Sequence, residues 1–537
     1  MGGSPYSAPV VNPVKTTQEF QPLPYALSSV YLMDLAKREE QVHQRVQEYL
    51  VSLEERVALV KEYLRDYEDS LLLERDEVDV NSTAELIPTD SAETLRAIKI
   101  TASPVRSFRM IRRFAQDLNA IDKHIREDAE ASFLDAMQVL QGNHNWPSED
   151  DIYDVMDGIL RIHFFYKLNV TEFADGRING TETGVKLTTR QCWTIAQFAI
   201  RWQFYTLAFE WLDVTRYKLR LEKEEDRWPG LTEEIINVAE RRTREHHDKN
   251  FEDQREKRSP FIFLTPIGRE KELPKTMRQH LFENYLGRDW GNEPDYSFIN
   301  FVALCNGYNF QNDQEKHDLK CWYEKDRHPY FKINPLKMEL LHREPYLVQI
   351  YDFLGEQWTD VLRRAGGHML ERAPPRNHAK ATPRTATYAW LPDEDFAEIN
   401  LIKKMEAFSG LNVATEKASE RLQIASYTFG GHVGTHVDSL GTQAHLDEKG
   451  DRIFTLLLYL NDVERGGLTA FPVLGTSVKP LKGSAVFWYD SLKNGEVDGR
   501  MLHGACPLIL GQKWIGTKWT HQNENMFKWP CSLNPDE

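Results

Sequence analysis

The chain has 537 residues, of which 41% are apolar and 28% charged, with a formal net charge of −16. That length accommodates roughly two to four domains, and the apolar share is ample for their cores. No apolar run approaches the ~18 residues of a membrane-spanning helix, and the acidic balance argues against a nucleic-acid partner.

Residues 1–25 are polar and proline-rich and read as a flexible tail. The start, Met1-Gly2-Gly3-Ser4-Pro5, lacks the basic and apolar regions of a signal peptide, and Pro535-Asp536-Glu537 carries no retention signal. From Tyr31 the pattern turns helical, and residues 26–147 are expected to form an all-helical domain. Val42, Val46, Tyr49, Leu53, Val57, Val60 and Leu64 recur by threes and fours, with Glu54, Glu55, Lys61 and Glu62 on the other face. A single amphipathic bundle helix would show such a stripe; its length favours a coiled-coil dimerisation element. Further helices are expected from about Pro104 to Gln141. Ser148, three residues before Asp151, marks a new helix start. It opens a block, residues 148–225, rich in aromatics from Phe164 to Trp211. Most of these suit a helical core, although aromatic faces also suit proline-rich ligands, which lose little further entropy on docking. Leu231 to Arg258 reads as a heavily charged helix in which His246 and His247 are solvated. It begins a linker region, residues 226–345. Gly366-Gly367 to Pro383 is a Gly/Pro/basic loop suited to a mobile lid.

Residues 346–531 change character. Leu422–Tyr427, Ile453–Leu460, Ser484–Tyr489 and Trp514–Trp519 read as strands, separated by Gly430-Gly431, Gly466-Gly467 and Pro472. Short strands with glycine turns predict a jelly-roll double sheet. Within it, His436-Val437-Asp438 is followed by His503 and Lys513. A His-x-Asp on one strand places both side chains on one face. With a distant histidine it makes the facial triad that holds non-haem Fe(II) and leaves positions open for cosubstrate and O2. Lys513 offers a cation for a dicarboxylate such as 2-oxoglutarate. His432 and His436 have helical zinc-pair spacing, but the glycines around them argue against a helix and no HExxH glutamate is present. His445, the nearby rival, lies in a polar loop.

Five cysteines are present. Cys305, Cys321, Cys506 and Cys531 allow more than one connectivity, and five reduced thiols remain an alternative. Sequons at Asn81, Asn169 and Asn179, together with the cysteines, lean towards a secretory compartment.

The stretch from Leu422 to Cys531 resembles the catalytic domain of collagen prolyl 4-hydroxylase α-subunits. The resemblance is carried by Leu422-Gln-Ile-Ala-Ser-Tyr-Thr-Phe-Gly-Gly, His436-Val-Asp, Tyr459-Leu-Asn-Asp-Val, Gly483-Ser-Ala-Val-Phe-Trp-Tyr, His503-Gly-Ala-Cys-Pro and Lys513-Trp…Lys518-Trp519…His521. It implies a multidomain α+β chain: a helical amino-terminal half with coiled-coil and tetratricopeptide-like helices, and a double-stranded β-helix dioxygenase domain. It implies Fe(II) on His436, Asp438 and His503, 2-oxoglutarate on Lys513 with Tyr427 and Thr455 assisting, and His521 as a distal catalytic histidine. O2 and L-ascorbate complete the implied cofactors. The implied reaction turns peptidyl proline in collagen-like chains into 4-hydroxyproline, with release of succinate and CO2. The alternatives are a hydroxylase of another peptide and a non-catalytic proline-rich-peptide-binding subunit. The resemblance further implies disulfides Cys305–Cys321 and Cys506–Cys531 with Cys192 free, and a peptide groove that includes Trp202 and Tyr205. It implies an α2β2 assembly with protein disulfide isomerase in the endoplasmic reticulum lumen. One departure stands on the substrate side: the family's tyrosine three residues before the first iron histidine is Val433 here, with Gly434 and Thr435 following.

Overall fold

The computed structural model describes residues 25–52, 57–75, 92–126, 131–142, 146–178, 180–223, 227–228, 230–256, 294–372, 385–392, 396–440, 449–532 and 534. The helical region begins with α1 (Ser29–Ser52), α2 (Val57–Arg75), α3 (Ala92–Ala102) and α4 (Pro104–Arg112). A π-helical turn, Arg113–Asp117, carries α4 into α5 (Leu118–Arg126), followed by α6 (Ala131–Gln141). Next come α7 (Glu149–Tyr166), α8 (Val170–Ala174), a small hairpin of β1 (Arg177–Ile178) and β2 (Thr181–Glu182), α9 (Thr189–Arg201), α10 (Tyr205–Leu221) and α11 (Glu233–Glu256). Local chemistry sets several starts. Asp151 accepts from the Ser148 backbone N–H at 2.8 Å, and Gln191 from that of Thr188 at 2.9 Å, each satisfying a donor at a helix start.

The heptad-like stripe belongs to two helices. Val42 and Val46 of α1 and Val60 and Leu64 of α2 are buried within this chain, where α1 lies against α2, α3 and α6. These four positions are therefore covered without a second copy, which corrects the argument for dimerisation through them. Leu53, Glu54 and Glu55 lie outside the described residues, as do the side chains of Tyr49 and Val57. At the centre is a buried ionic network. Asp66 accepts from Arg109 Nε at 2.8 Å, Arg113 at 2.7 Å and Gln191 at 2.7 Å; Arg113 also meets Glu39, and Arg112 meets Asp117 at 3.0 Å. Buried charges persist only when paired in this way. The network joins α1, α2, α4 and α9. One apolar cluster runs from Tyr25 to Ile236, across the expected boundary at residue 148. His247 is buried, edge-on to Tyr205 and Phe209, rather than solvated.

The remainder is built on sheets. The strands are β3 (Cys321–Glu324), β4 (Leu336–His342), β5 (Leu347–Tyr351), β6 (Glu371–Arg372), β7 (Thr387–Trp390), β8 (Gln423–Tyr427), β9 (Val433–His436), β10 (Arg452–Tyr459), β11 (Arg465–Gly466), β12 (Thr469–Phe471), β13 (Thr476–Val478), β14 (Ala485–Tyr489), β15 (His503–Ala505), β16 (Leu508–Leu510) and β17 (Lys513–His521). An antiparallel nine-stranded sheet has the order β3-β4-β5-β14-β10-β17-β8-β7-β6; a four-stranded one has the order β13-β12-β15-β9. The helices here are α12 (Pro294–Cys305), α13 (Asp313–His317), α14 (Glu356–Gly367) and α15 (Phe396–Ser409). Every residue of β10 is buried, which explains its continuous apolar run. Leu457 and Tyr459 pack in the core shared with the small sheet, with Phe471, Val478 and Ala505. Phe454, Leu456 and Leu458 pack on the opposite face with Leu362 of α14 and Leu401, Met405 and Phe408 of α15.

The helical region is docked on this frame. Arg161 of α7 donates to the Gly430 carbonyl at 2.7 Å, and Tyr166 donates to that of Pro507 at 2.5 Å. Gly430 has φ +67°, and a Cβ there would lie 2.5 Å from the Gly158 Cα, so glycine at 430 allows the close approach. The disulfide is Cys305–Cys506, which corrects both implied pairs. Cys305 ends α12, which packs on β9, β12 and β13 and brings its sulfur to Cys506, the residue after the strand that carries His503. Cys321 is exposed on the edge strand β3, Cys531 is exposed near the carboxyl end, and Cys192 is free and buried. The glycine-rich lid loop lies mostly outside the described residues, as do His445, Asn81 and Asn179. Asn169 is exposed and accepts from the Glu172 backbone N–H at 3.1 Å.

Candidate metal and cosubstrate site

β9 and β15 pair antiparallel so that His436 stands directly opposite His503, with ring centroids 4.4 Å apart. Asp438 follows β9 on the same face, and one ligand atom from each of the three residues lies within 4.8 Å of the others. His436 Nε2 is 3.4 Å from Asp438 Oδ1, and His503 Nε2 is 3.7 Å from Oδ2. Each imidazole turns Nδ1 to a backbone carbonyl: His436 to Gly434 and His503 to Met501, both at 2.9 Å. Those carbonyls accept only from a protonated Nδ1, so each Nε2 presents its lone pair towards the cluster. Two imidazole nitrogens and a carboxylate converging in this way fit Fe(II) or a similar divalent ion.

Asp438 is fixed from behind. Its Oδ2 lies 2.7 Å from Thr455 Oγ1 and accepts from Trp519 Nε1 at 2.9 Å, while its carbonyl accepts from Arg452 at 2.8 Å. Arg452 in turn grips Glu420 at 2.6 and 2.8 Å and stacks 3.9 Å from the Trp519 ring. Burial pushes the Asp438 carboxyl upward, but His503, His436 and Arg452 outweigh it and hold the group well below the usual carboxylate range.

Lys513 starts β17 opposite Tyr427 of β8. It is buried, and its Nζ donates to the Gly467 carbonyl at 2.7 Å and lies 3.4 Å from Thr469 Oγ1. The rings of Tyr427 and Tyr459 stand 5.6 and 5.7 Å from it. No carboxylate among the described residues pairs with Lys513, and burial alone lowers its pKa to about 7. A dry ammonium group without a counter-ion fits an incoming carboxylate.

Several expected residues stand elsewhere. Thr455 is not beside Lys513; its hydroxyl lies between Asp438 and Asp490, and the hydroxyl near Lys513 is that of Thr469. Neither Thr469 nor Tyr459 was picked out as a neighbour of Lys513, because β12 and β10 meet only through the fold, where Tyr459 donates to Thr469 at 2.8 Å. His521 is buried two residues beyond Trp519; its Nδ1 is 3.3 Å from the Gly450 carbonyl and its Nε2 is 3.5 Å from Glu420. Burial lowers its pKa, with Glu420 opposing. Val433 is buried in the core between the sheets. In the helical region, Tyr205 is core rather than groove, whereas Trp202 is 53% exposed. Phe198 lies between Trp202 and Tyr153, with centroids 6.0 and 5.8 Å away, and Arg201 lies over Tyr153.

Residues 28–180 match the family described as prolyl 4-hydroxylase alpha-subunit, N-terminal region, and residues 422–521 match the 2OG-Fe(II) oxygenase superfamily. The chain is similar to prolyl 4-hydroxylase subunit alpha-2 of Caenorhabditis elegans, 26% identical over 477 residues that span 82% of this chain and 84% of the relative. It is 27% identical to subunit alpha-2 of Gallus gallus over 514 residues, 88% of this chain and 91% of the relative. With subunit alpha-3 of Bos taurus it shares 28% identity over 476 residues, 81% and 85% of the two chains.

Proposed function

We propose, from its membership of the prolyl 4-hydroxylase α-subunit family, that this chain is an Fe(II)- and 2-oxoglutarate-dependent dioxygenase converting peptidyl proline to 4-hydroxyproline. The carrying observation is the convergence of His436, Asp438 and His503, with the buried cation of Lys513 near by. When bound, Fe(II) with 2-oxoglutarate and O2 supplies the oxidising chemistry: one oxygen atom enters the proline C4–H bond, the other leaves in succinate, and CO2 is released.

The protein's part is to bind, aim and keep water out. His436, Asp438 and His503 would hold the metal, each with one ligand atom. Lys513 takes the far carboxylate of 2-oxoglutarate, with Thr469 beside it and the Tyr427 and Tyr459 rings as walls. The backbone carbonyls of Gly434 and Met501 keep the imidazoles in the ligating tautomer. The buried His521 is assigned the place of the distal catalytic histidine, and L-ascorbate would keep the iron ferrous. The catalytic region, residues 346–531, is assigned to the double-stranded β-helix class.

The collagen-like peptide is assigned to the aromatic surface of the helical region, residues 26–225, around Trp202 and Tyr153 rather than the buried Tyr205. The packing of α9 against α10 supports that assignment, and the pair is assigned to the tetratricopeptide-like class. An α2β2 complex with protein disulfide isomerase in the endoplasmic reticulum lumen, glycosylated at Asn81, Asn169 and Asn179, completes the reading. The disulfide Cys305–Cys506 suits such an oxidising compartment. No helix among the described residues is long and apolar enough to cross a membrane. A hydroxylase of a different proline-containing peptide is the second reading; it is favoured by Val433, which places no hydroxyl at the family's tyrosine position.

Succinate release tests the proposal. Release that depends on a proline-rich peptide supports it; release with peptides of other composition only supports the second reading; no release with any peptide overturns both.

A further inference from the structure

Thr455 stands on β10 between two carboxyl groups. Its Oγ1 is 2.7 Å from Oδ2 of Asp438 and 2.7 Å from Oδ2 of Asp490. All three residues are buried, none more than 3% exposed. A hydroxyl carries one hydrogen and can donate to only one of these oxygens. The other contact needs a hydrogen from the carboxyl side. Two ionised carboxylates around one hydroxyl would also set two like charges in a dry core.

The surroundings decide which carboxyl carries that hydrogen. Asp438 faces two imidazoles and accepts from Trp519, with Arg452 bonded to its own carbonyl. Asp490 meets no imidazole; its Oδ1 accepts from Trp488 Nε1 at 2.8 Å, which leaves Oδ2 to act as a donor. Burial and the charge of Asp438 raise the Asp490 carboxyl well above its usual range. The order of donors then runs from the Asp490 acid to Thr455, and from Thr455 to Asp438.

We propose that Asp490 is a positioning residue for the metal-binding carboxylate: as a neutral acid it donates to Thr455, which donates to Oδ2 of Asp438 and so turns Oδ1 towards His436. Oδ2 then receives two fixed donors, Thr455 and Trp519, and the carboxylate loses its freedom to rotate. Supporting hydrogen bonds of this kind set ligand orientation and affinity. The proposal rests on the reading of His436, Asp438 and His503 as metal ligands.

The test is a Co(II) titration of the full-length protein, read by visible absorption, with circular dichroism as the folding control. Thr455→Val keeps the outline of the side chain and removes the hydroxyl, and Asp490→Ala removes the donor. Each is expected to weaken Co(II) binding about 10–100-fold. Asp490→Asn supplies an N–H to Thr455 and a carbonyl to Trp488, and is expected to restore most of the affinity lost in Asp490→Ala. If Asp490→Ala does not fold, Thr455→Val and Asp490→Asn carry the comparison. Wild-type affinity in Thr455→Val overturns the proposal, as does an Asp490→Asn protein whose binding is weakened to the extent seen in Thr455→Val. Failure of the wild-type protein itself to bind Co(II) overturns the ligand assignment instead, so the two failures are distinguishable.

Discussion

Lys513 carries the most quantitative prediction. Burial brings its pKa from 10.5 to about 7, so the unliganded protein at mildly alkaline pH holds a mostly neutral amine. A carboxylate arriving at Nζ favours the ammonium form, so 2-oxoglutarate should bind together with a proton. The sign follows from linkage. Between about 7 and the bound-state pKa, the complex holds a proton that the free protein lacks, so affinity should fall about tenfold for each pH unit gained. Below about 7 the free protein already carries the proton and the slope vanishes. In the unliganded protein the same depression means that the unfolded chain binds more protons between about 7 and 10.5, so stability rises with pH across that window. The shift corresponds to roughly 5 kcal/mol at most, the strain a correctly placed carboxylate can relieve. Calorimetry of 2-oxoglutarate binding to Mn(II)-loaded protein, in buffers of different ionisation enthalpy, gives the proton count. It should approach ~0.9 near pH 8 and ~0.1 near pH 6, and Lys513→Met should bind weakly without this dependence. No proton uptake near pH 8, or an unchanged slope in Lys513→Met, would refute the reasoning.

Further predictions concern the frame. Asp66→Ala strands Arg109, Arg113 and Gln191 in the core and should cost about 3–5 kcal/mol in urea unfolding. Val46→Ala should lower stability by about 1–3 kcal/mol without changing the mass seen by light scattering, because Val46 is covered within its own chain. Non-reducing peptide mapping should recover Cys305 joined to Cys506; Cys321 and Cys531 should alkylate readily, while Cys192, whose thiol burial pushes up to about 12, should resist.

What the sequence disclosed follows from how far each signal reaches along the chain. Strands β8, β10, β14 and β17 were legible because their residues are apolar and β-prone in a row, and β10 is buried throughout. The grouping of His436, Asp438 and His503 was legible because His436 and Asp438 are two residues apart, at the end of β9 and just beyond it, and a defined partner was needed from elsewhere. Thr469, Tyr459 and Asp490 were hidden because their partners lie 10 to 44 positions away in sequence. The stripe from Val42 to Leu64 carried its period correctly but not its partner, since apolar spacing is the same whether the cover is a second copy or α3 and α6. Arg109, Arg112 and Arg113 are buried because carboxylates on α1, α2 and the π-helical turn pair with them, and their own spacing does not name those partners. The residues left the disulfide connectivity open, and the two pairs that the family resemblance implied are not the one formed. The turn of α12 onto β12 brings Cys305 to Cys506 instead.

The central claim is peptidyl proline hydroxylation at the His436–Asp438–His503 centre. It is tested most directly by mass spectrometry of a proline-rich peptide incubated with the protein, Fe(II), 2-oxoglutarate, ascorbate and O2, with succinate measured in parallel. The expected result is the gain of one oxygen atom on proline, assigned to C4, with one succinate per hydroxyl group and neither product from Asp438→Ala. Equal hydroxylation by Asp438→Ala, or no oxygen gained on any proline-rich peptide by a wild-type protein that binds Fe(II) and 2-oxoglutarate, would contradict it.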